Sequence, residues 1–342
     1  MRVMWGAVVA AGLLASPAGM QAQDTGAPPP FPPPGRLVDI GGWRLHLNCT
    51  GQASASQPTV ILEAGIGDFS VEWSLVQPKV AAVARVCSYD RANNGWSDLG
   101  PRPRTMHQIV YELHTLLTTA GEPGPYVLVG HSYGGWLVRL YQLTYPSEVV
   151  GMVLVEAGAD DPLRMLADGV LRHSSDLVTG KPIPVVKTTD PLKESEIPPG
   201  ALSQMQAAAR QFGPRANEAP RDKLPAEAQR MRTWAYWQVK HWAQADNPVE
   251  PEELAELRAA RTKSEHSLGD LPLAVLTRGL SEEGGPDSKA LAEAHRKDHE
   301  MIAAISRNGR LIIATRSGHH VQIDEPDLVV TTIREILAAV RR

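Results

Sequence analysis

The segment Gly130-His131-Ser132-Tyr133-Gly134 sets a serine between two glycines. The apolar run Tyr126–Val129 leads directly into it, and an amphipathic pattern, Gly134–Tyr145, follows at once. A strand that turns sharply into a helix at such a place holds the serine in a strained backbone conformation and lifts its hydroxyl clear of the chain. Glycines are needed on both sides because a Cβ there would collide with neighbouring backbone. The same turn leaves the backbone N–H of Tyr133 at a helix N-terminus, where it can stabilise a developing oxyanion. The chemistry on offer is nucleophilic attack by Ser132. A serine hydroxyl is a poor nucleophile until a base takes its proton, so a histidine and an acid to orient it must be found elsewhere.

Four of the eleven histidines have context worth weighing as the base. His131 adjoins the serine, but its side chain leaves the turn in another direction and is read as packing. His319 and His320 follow the run Leu311–Thr315 and Gly318, late in the chain. His46 lies in an early hairpin and reads as a surface residue. His295 and His299 stand at i and i+4, but the intervening Arg-Lys-Asp lacks the glutamate of an H-E-x-x-H zinc motif, so the pair is read as an exposed helix face. No other metal-ligand spacing appears, and the expectation is no metal and no cofactor.

The elements that must position these residues alternate. Arg36–Ile40 and Trp43–Asn48 flank Gly41-Gly42 as an edge hairpin. Thr59–Glu63, Val83–Tyr89, Tyr126–Val129, Val149–Glu156, Leu271–Thr277 and Leu311–Thr315 are short apolar runs of the kind that form buried parallel strands. Helical patterns cover Met106–Ala120, Gly134–Tyr145, Ser288–Ser306 and Pro326–Val340. Strands alternating with helices imply an α/β class with a mostly parallel sheet flanked by helices. The stretch 160–270 breaks the rhythm: it is rich in Pro, charge and helix formers, shows no convincing strand, and reads as a helical insertion over the sheet.

Composition narrows the function classes. The chain has 342 residues, with 34 Lys+Arg against 38 Asp+Glu and a formal net charge of −4. So balanced a chain carries no electrostatic footprint for nucleic acid. Arg2, the uncharged run Val3–Ala15 and the small residues after it read as a secretory signal peptide over 1–22, too short for a membrane span. A Pro-rich linker over 23–35 follows. No stable membrane anchor is expected, and the site of action is expected to be periplasmic or secreted.

Nearly everything after Arg36 resembles the α/β-hydrolase superfamily. Besides the serine turn, Thr59-Val-Ile-Leu-Glu-Ala-Gly-Ile-Gly-Asp68 is similar to the family's third strand and oxyanion loop, and Val86–Ser97 to its D-R-x-G-x-G-x-S turn. Val149–Glu156 is similar to the strand after the nucleophile helix, and Ser317–Pro326 to the loop carrying the catalytic histidine. Two residues depart from the pattern: Ala64 stands where many members have His, and Asn93 where a Gly is usual. Asn tolerates a left-handed backbone better than other non-glycine residues, so the second change is mild.

The resemblance implies an α/β-hydrolase core over 36–159 and 271–342, with a helical cap over 160–270 inserted after the strand that follows the nucleophile helix. It places the base on His319, with His320 as a pocket neighbour, and the oxyanion donors on the backbone N–H groups of Tyr133 and Ile66. Asp68 reads as a turn residue. For the acid it offers Glu156, at the end of Val149–Glu156, or Glu282, after Leu271–Thr277, with Asp160 further behind. Glu156 is favoured because a carboxylate ending an apolar strand needs a partner. Cys49 and Cys87 fall on strands that neighbour one another in the resembled fold, which implies a disulfide. In the insertion, Trp234, Trp237, His241 and Trp242 share one face of an expected helix; Trp234 and Trp237 are candidate pocket residues, though such a stripe is more often core. The implied activity is hydrolysis of a small-molecule carboxylic ester by a serine hydrolase. The rivals are a serine aminopeptidase or amidase, for which Glu250, Glu252 and Glu253 would have to hold a substrate ammonium, and a non-catalytic ligand-binding relative. An aspartate-nucleophile dehalogenase or epoxide hydrolase is disfavoured by Ser132. The sequence leaves the oligomeric state open.

Overall fold

The structure, a computed structural model, describes residues 31–340 apart from 55–56, 123, 162, 166–170, 179–189, 192, 244–246 and 281–287. The expected signal peptide, most of the linker and Glu282 lie outside the described residues. In chain order the strands are β1 (Arg36–Asp39), β2 (Arg44–Thr50), β3 (Thr59–Glu63), β4 (Val86–Tyr89), β5 (Tyr126–His131), β6 (Val149–Val155), β7 (Leu163–Met165), β8 (Leu171–His173), β9 (Leu273–Arg278) and β10 (Gly309–Ala314). The α-helices are α1 (Gln77–Ala81), α2 (Met106–Ala120), α3 (Tyr133–Thr144), α4 (Pro199–Phe212), α5 (Ala226–Tyr236), α6 (Glu250–Thr262), α7 (Ser288–Ala303), α8 (Val321–Asp324) and α9 (Pro326–Val340).

Eight strands form one sheet in the order β1-β2-β4-β3-β5-β6-β9-β10. It is parallel from β4 to β10, with β1 and β2 antiparallel at one edge. The edge hairpin turns at Gly41 and Gly42, whose φ values of 119° and 107° favour glycine, and the Asp39 carboxylate accepts both of their N–H groups. Alternate residues of the central strands supply two separate cores. Ile61, Leu128, Leu154 and Val275 face α2 and α3, whereas Val60, Val129, Val153 and Leu276 face α9. Both faces are covered, which is why these strands read as continuous apolar runs.

Between β6 and β9 lie α4, α5 and α6. The stretch also contains β7 and β8, an antiparallel pair in a sheet of its own. Three-residue strands are too short for alternation to register, so the sequence gives no sign of them. Ala228 and Ala235 of α5 pack with Phe69, Val71, Trp96 and Ile323 of the core. Fully buried Arg232 of α5 pairs with Glu72 and, at 3.3 Å, with Asp68. Cys49 and Cys87 are opposite one another on β2 and β4 and form a disulfide.

Candidate active site

Ser132 links β5 to α3 with φ 52° and ψ −119°, a left-handed region that residues with a Cβ rarely occupy. Three backbone hydrogen bonds hold it there. Its N–H reaches Val155 O at 3.1 Å, and its carbonyl accepts from Gly135 at 2.9 Å and Gly158 at 3.2 Å. The flanking glycines are steric necessities: a Cβ on Gly134 would lie 2.6 Å from Glu63 O, and one on Gly130 would overlap the Gly134 carbonyl. Tyr133 opens α3, so its N–H has no acceptor one turn back in the helix.

Glu156 follows β6 as Ser132 follows β5, again with positive φ, 47°. Its N–H extends the sheet by bonding Leu276 O at 2.9 Å. The buried carboxylate accepts His319 Nδ1 on Oε2 at 3.1 Å, with Arg278 Nη1 also at 3.1 Å on that oxygen. Oε1 accepts the Arg278 N–H at 2.7 Å and His295 Nε2 at 2.8 Å. Burial alone would push this carboxyl up, but the hydrogen bonds from His295 and His319 outweigh it and hold the group far below the usual carboxylate range. The loop carrying His319 is braced by Asp324, which accepts the Gly318 N–H at 3.2 Å, and His131 Nε2 donates to His319 O at 2.9 Å.

The loop after β3 presents Ile66, exposed, beside the serine turn. A Cβ on Gly65 would meet His131 Nδ1 at 2.9 Å, and the loop closes through Asp68 N–H to Gly65 O at 3.2 Å. The Arg91 guanidinium, itself buried, pairs with Glu63 and donates to the carbonyls of Ala64, at 2.7 Å, and Gly65. Arg91 is thus the brace of the loop that would supply the second oxyanion donor. Its signal in the sequence was the D-R dipeptide, whose arginine had no visible partner.

Several residues sit elsewhere than the sequence suggested. His46 is fully buried, not on the surface: β2 pairs with β4, bringing its Nδ1 to 3.0 Å from Asp90, and Pro34 O lies 3.1 Å from Nε2. His295 and His299 do not form an exposed face; His299 is fully buried and His295 half-buried, both turned toward Glu156. Asp68 is more than a turn residue, for it is buried and pairs with Arg221 at 3.1 Å as well as with Arg232. The aromatic stripe is not one helical face. The α-helix ends at Tyr236 and the chain continues through an extended Gln238 into a 3-10 turn at Val239–Trp242. Packing dictates the break: Trp242 stacks on Phe212 at 5.3 Å and donates to Tyr236 O. Trp234 packs between Phe31 and Trp96, and Trp237, 40% exposed, lies against Gly213. His320 neighbours His131 and His319, with ring centroids 5.3 Å from each. Asp160 is committed to Arg139 and Arg261. Glu253 is buried and accepts the N–H groups of Met106 and His107 at the start of α2.

A sequence model of the alpha/beta hydrolase family matches residues 60–332. The chain belongs to that family. A member of the same superfamily from Gibberella zeae is 26% identical over 310 residues, covering 87% of this chain and 92% of that one. Among solved structures, a thermophilic esterase from Thermogutta terrifontis superposes with a TM-score of 0.57 at 17% identity, over 90% of this chain and 99% of its own. An enol-lactonase from Burkholderia xenovorans gives 0.57 at 15% identity, over 89% and 100%. At such identities the structural likeness is one of fold. With this family membership the chain is a hydrolase. Among the described residues no helix is long and apolar enough to cross a membrane.

Proposed function

We propose that this hydrolase cleaves carboxylic esters through an acyl-enzyme on Ser132. The observation that carries the reading is the 3.1 Å contact between His319 Nδ1 and Glu156 Oε2, made beside a serine held at positive φ. Ser132 Oγ attacks the ester carbonyl as its proton passes to His319 Nε2. Glu156 keeps Nδ1–H oriented and stabilises the imidazolium. The N–H groups of Tyr133 and Ile66 receive the oxyanion. Collapse expels the alcohol, which takes the proton from His319; water, deprotonated by the same ring, then releases the acid.

The stretch 160–270 serves as the cap: the ion pairs from Arg221 and Arg232 to Asp68 join it to the oxyanion loop. Of the three glutamates the amidase alternative needs, Glu253 is already occupied by the start of α2. Export to the periplasm or the medium is part of the proposal; the leader-like N-terminus and the Cys49–Cys87 disulfide support it.

Fluorophosphonate labelling of the mature protein, with the adduct mapped by mass spectrometry, tests the nucleophile without a guess at the substrate. A single adduct on Ser132, absent in Ser132→Ala, is expected. Folded protein that takes no label overturns the reading.

A further inference from the structure

Glu156 has more imidazole around it than a triad acid uses. His295 and His299 lie one turn apart on α7, with ring centroids 4.3 Å apart. On Oε1 of Glu156, the Arg278 N–H occupies one direction at 2.7 Å and His295 Nε2 another at 2.8 Å. His299 is fully buried, and its Nε2 lies 2.8 Å from the carbonyl of Ala157. A carbonyl only accepts, so Nε2 carries the hydrogen, and Nδ1 of the neutral ring is a bare lone pair. Among the described residues that lone pair has no hydrogen-bond partner, and it lies in the same cluster, 3.9 Å from Glu156 Oε1. An unsatisfied buried acceptor is an unfavourable arrangement that native structures rarely keep.

We propose that His295 Nε2, His299 Nδ1 and Glu156 Oε1 form a binding site for a late first-row divalent cation such as zinc. Oε1 lies 2.8 Å from His295 Nε2 and 3.9 Å from His299 Nδ1, and each of the three residues offers a ligand atom within 4.8 Å of the others. Two imidazoles and a carboxylate are a donor set that zinc takes readily, with water completing the shell. A backbone carbonyl holding the far nitrogen, as Ala157 O holds His299 Nε2, is the usual support of a metal-binding imidazole. Half-buried His295 gives the entry route. The Arg278 guanidinium contacts the other oxygen, Oε2. The cation replaces the hydrogen on His295 Nε2, which shifts to Nδ1 of that ring or leaves to solvent.

Cation and His319 would then share one carboxylate. Drawing charge from Glu156 weakens its hold on His319 Nδ1–H, so the cation acts as a reversible inhibitor. This second half rests on Glu156 being the triad acid; the binding itself does not.

Tag-free full-length protein, stripped with chelator, is titrated calorimetrically with zinc chloride. Cobalt(II) is followed in parallel through its visible absorption. The expected result is one zinc per chain, with affinity falling about tenfold or more in His295→Gln and His299→Gln, and cobalt bands lost in both. His295→Gln, at the half-buried position, keeps the test valid where His299→Gln perturbs folding. Unchanged affinity and stoichiometry in His295→Gln overturn the site. Zinc should also suppress hydrolysis of an activated ester along the calorimetric saturation curve, with recovery on adding EDTA; binding without suppression overturns the coupling. Calorimetry needs no turnover, so a chain that hydrolyses nothing still reports on the metal site, and serine labelling reports on Ser132 separately.

Discussion

His131 donates through Nε2 to the main-chain carbonyl of His319, 2.9 Å away, so the residue before the candidate nucleophile holds the loop of the candidate base. Burial, and then the neighbouring rings of His319 and His320, keep the His131 pKa well below that of an ordinary imidazole. A neutral ring bonded in this way acts as a strut between β5 and the loop after β10.

Removing the strut in His131→Ala should reduce kcat about tenfold to a hundredfold with little change in KM, because the base loses its aim while the pocket stays. Steady-state ester kinetics and the rate of serine labelling should fall together. An unaltered kcat would show that His319 is positioned without His131.

Glu156→Gln should lower kcat by about 10⁴-fold, the scale on which a triad is disabled when its acid becomes an amide. Glu282→Gln should change it by less than about twofold, as for a surface substitution. Side-by-side kinetics decide which carboxylate is used. A large loss in Glu282→Gln with a small one in Glu156→Gln reverses the assignment.

Arg91→Ala leaves Glu63 buried without its cation and the carbonyls of Ala64 and Gly65 without a donor. The expected loss of stability is about 3–5 kcal/mol, measurable by denaturant unfolding. Arg91→Lys should recover only part of it, since an ammonium does not reproduce the spread of guanidinium donors. Full recovery by lysine would mean that charge alone matters there.

Acid should destabilise the protein through its buried imidazoles. Burial, followed by the positive charges of Arg232 near His241 and Arg221 near His320, pushes both rings down to about 3. Below about pH 6.5 the unfolded chain binds protons that these rings refuse in the fold, so stability is full above that pH and lost as pH falls. Each ring contributes a slope of at most about 1.4 kcal/mol per pH unit. His46 has the opposite sign. Burial pushes it down, but the Asp90 carboxylate outweighs that and raises it above the ordinary value. Its contribution is present below about pH 6.5 and fades as pH rises through the folded-state value. Unfolding free energies at about pH 5.5 and pH 8 should therefore show His241→Gln flattening the acid-side slope, and His46→Gln losing more at the lower pH. Parallel profiles for both variants would contradict these environments.

Local signals reveal the helices that end in local chemistry. Met106–Ala120 has the sequence-derived bounds because Thr105 caps its start, accepting Gln108 N–H at 3.1 Å, and Gly121 closes it at φ 70°. The serine turn is legible for the same reason: both of its glycines are within two residues of Ser132. Long-range partners are what the sequence conceals. An i, i+4 histidine pair looks alike on a wet or a buried face, and Glu156, which decides the matter for His295, is 139 residues away. His46 owes its burial to Asp90, which only the β2–β4 pairing brings near. The expected tryptophan face failed because contacts with Phe212 and Gly213 overrode helical continuation past Tyr236.

The spacing of the candidate triad along the chain also sets an order of events. Ser132 and Glu156 end adjacent strands of the sheet, but His319 arrives from 163 residues beyond Glu156. During synthesis the candidate nucleophile and acid emerge early, and the candidate base His319 follows only after β10 has been made. On the proposed mechanism the nascent chain is unreactive at Ser132 for almost the whole of translation. Activity begins only when the C-terminal segment is in place, so a chain cut short upstream of His319 is silent toward its substrate, however well its first half folds.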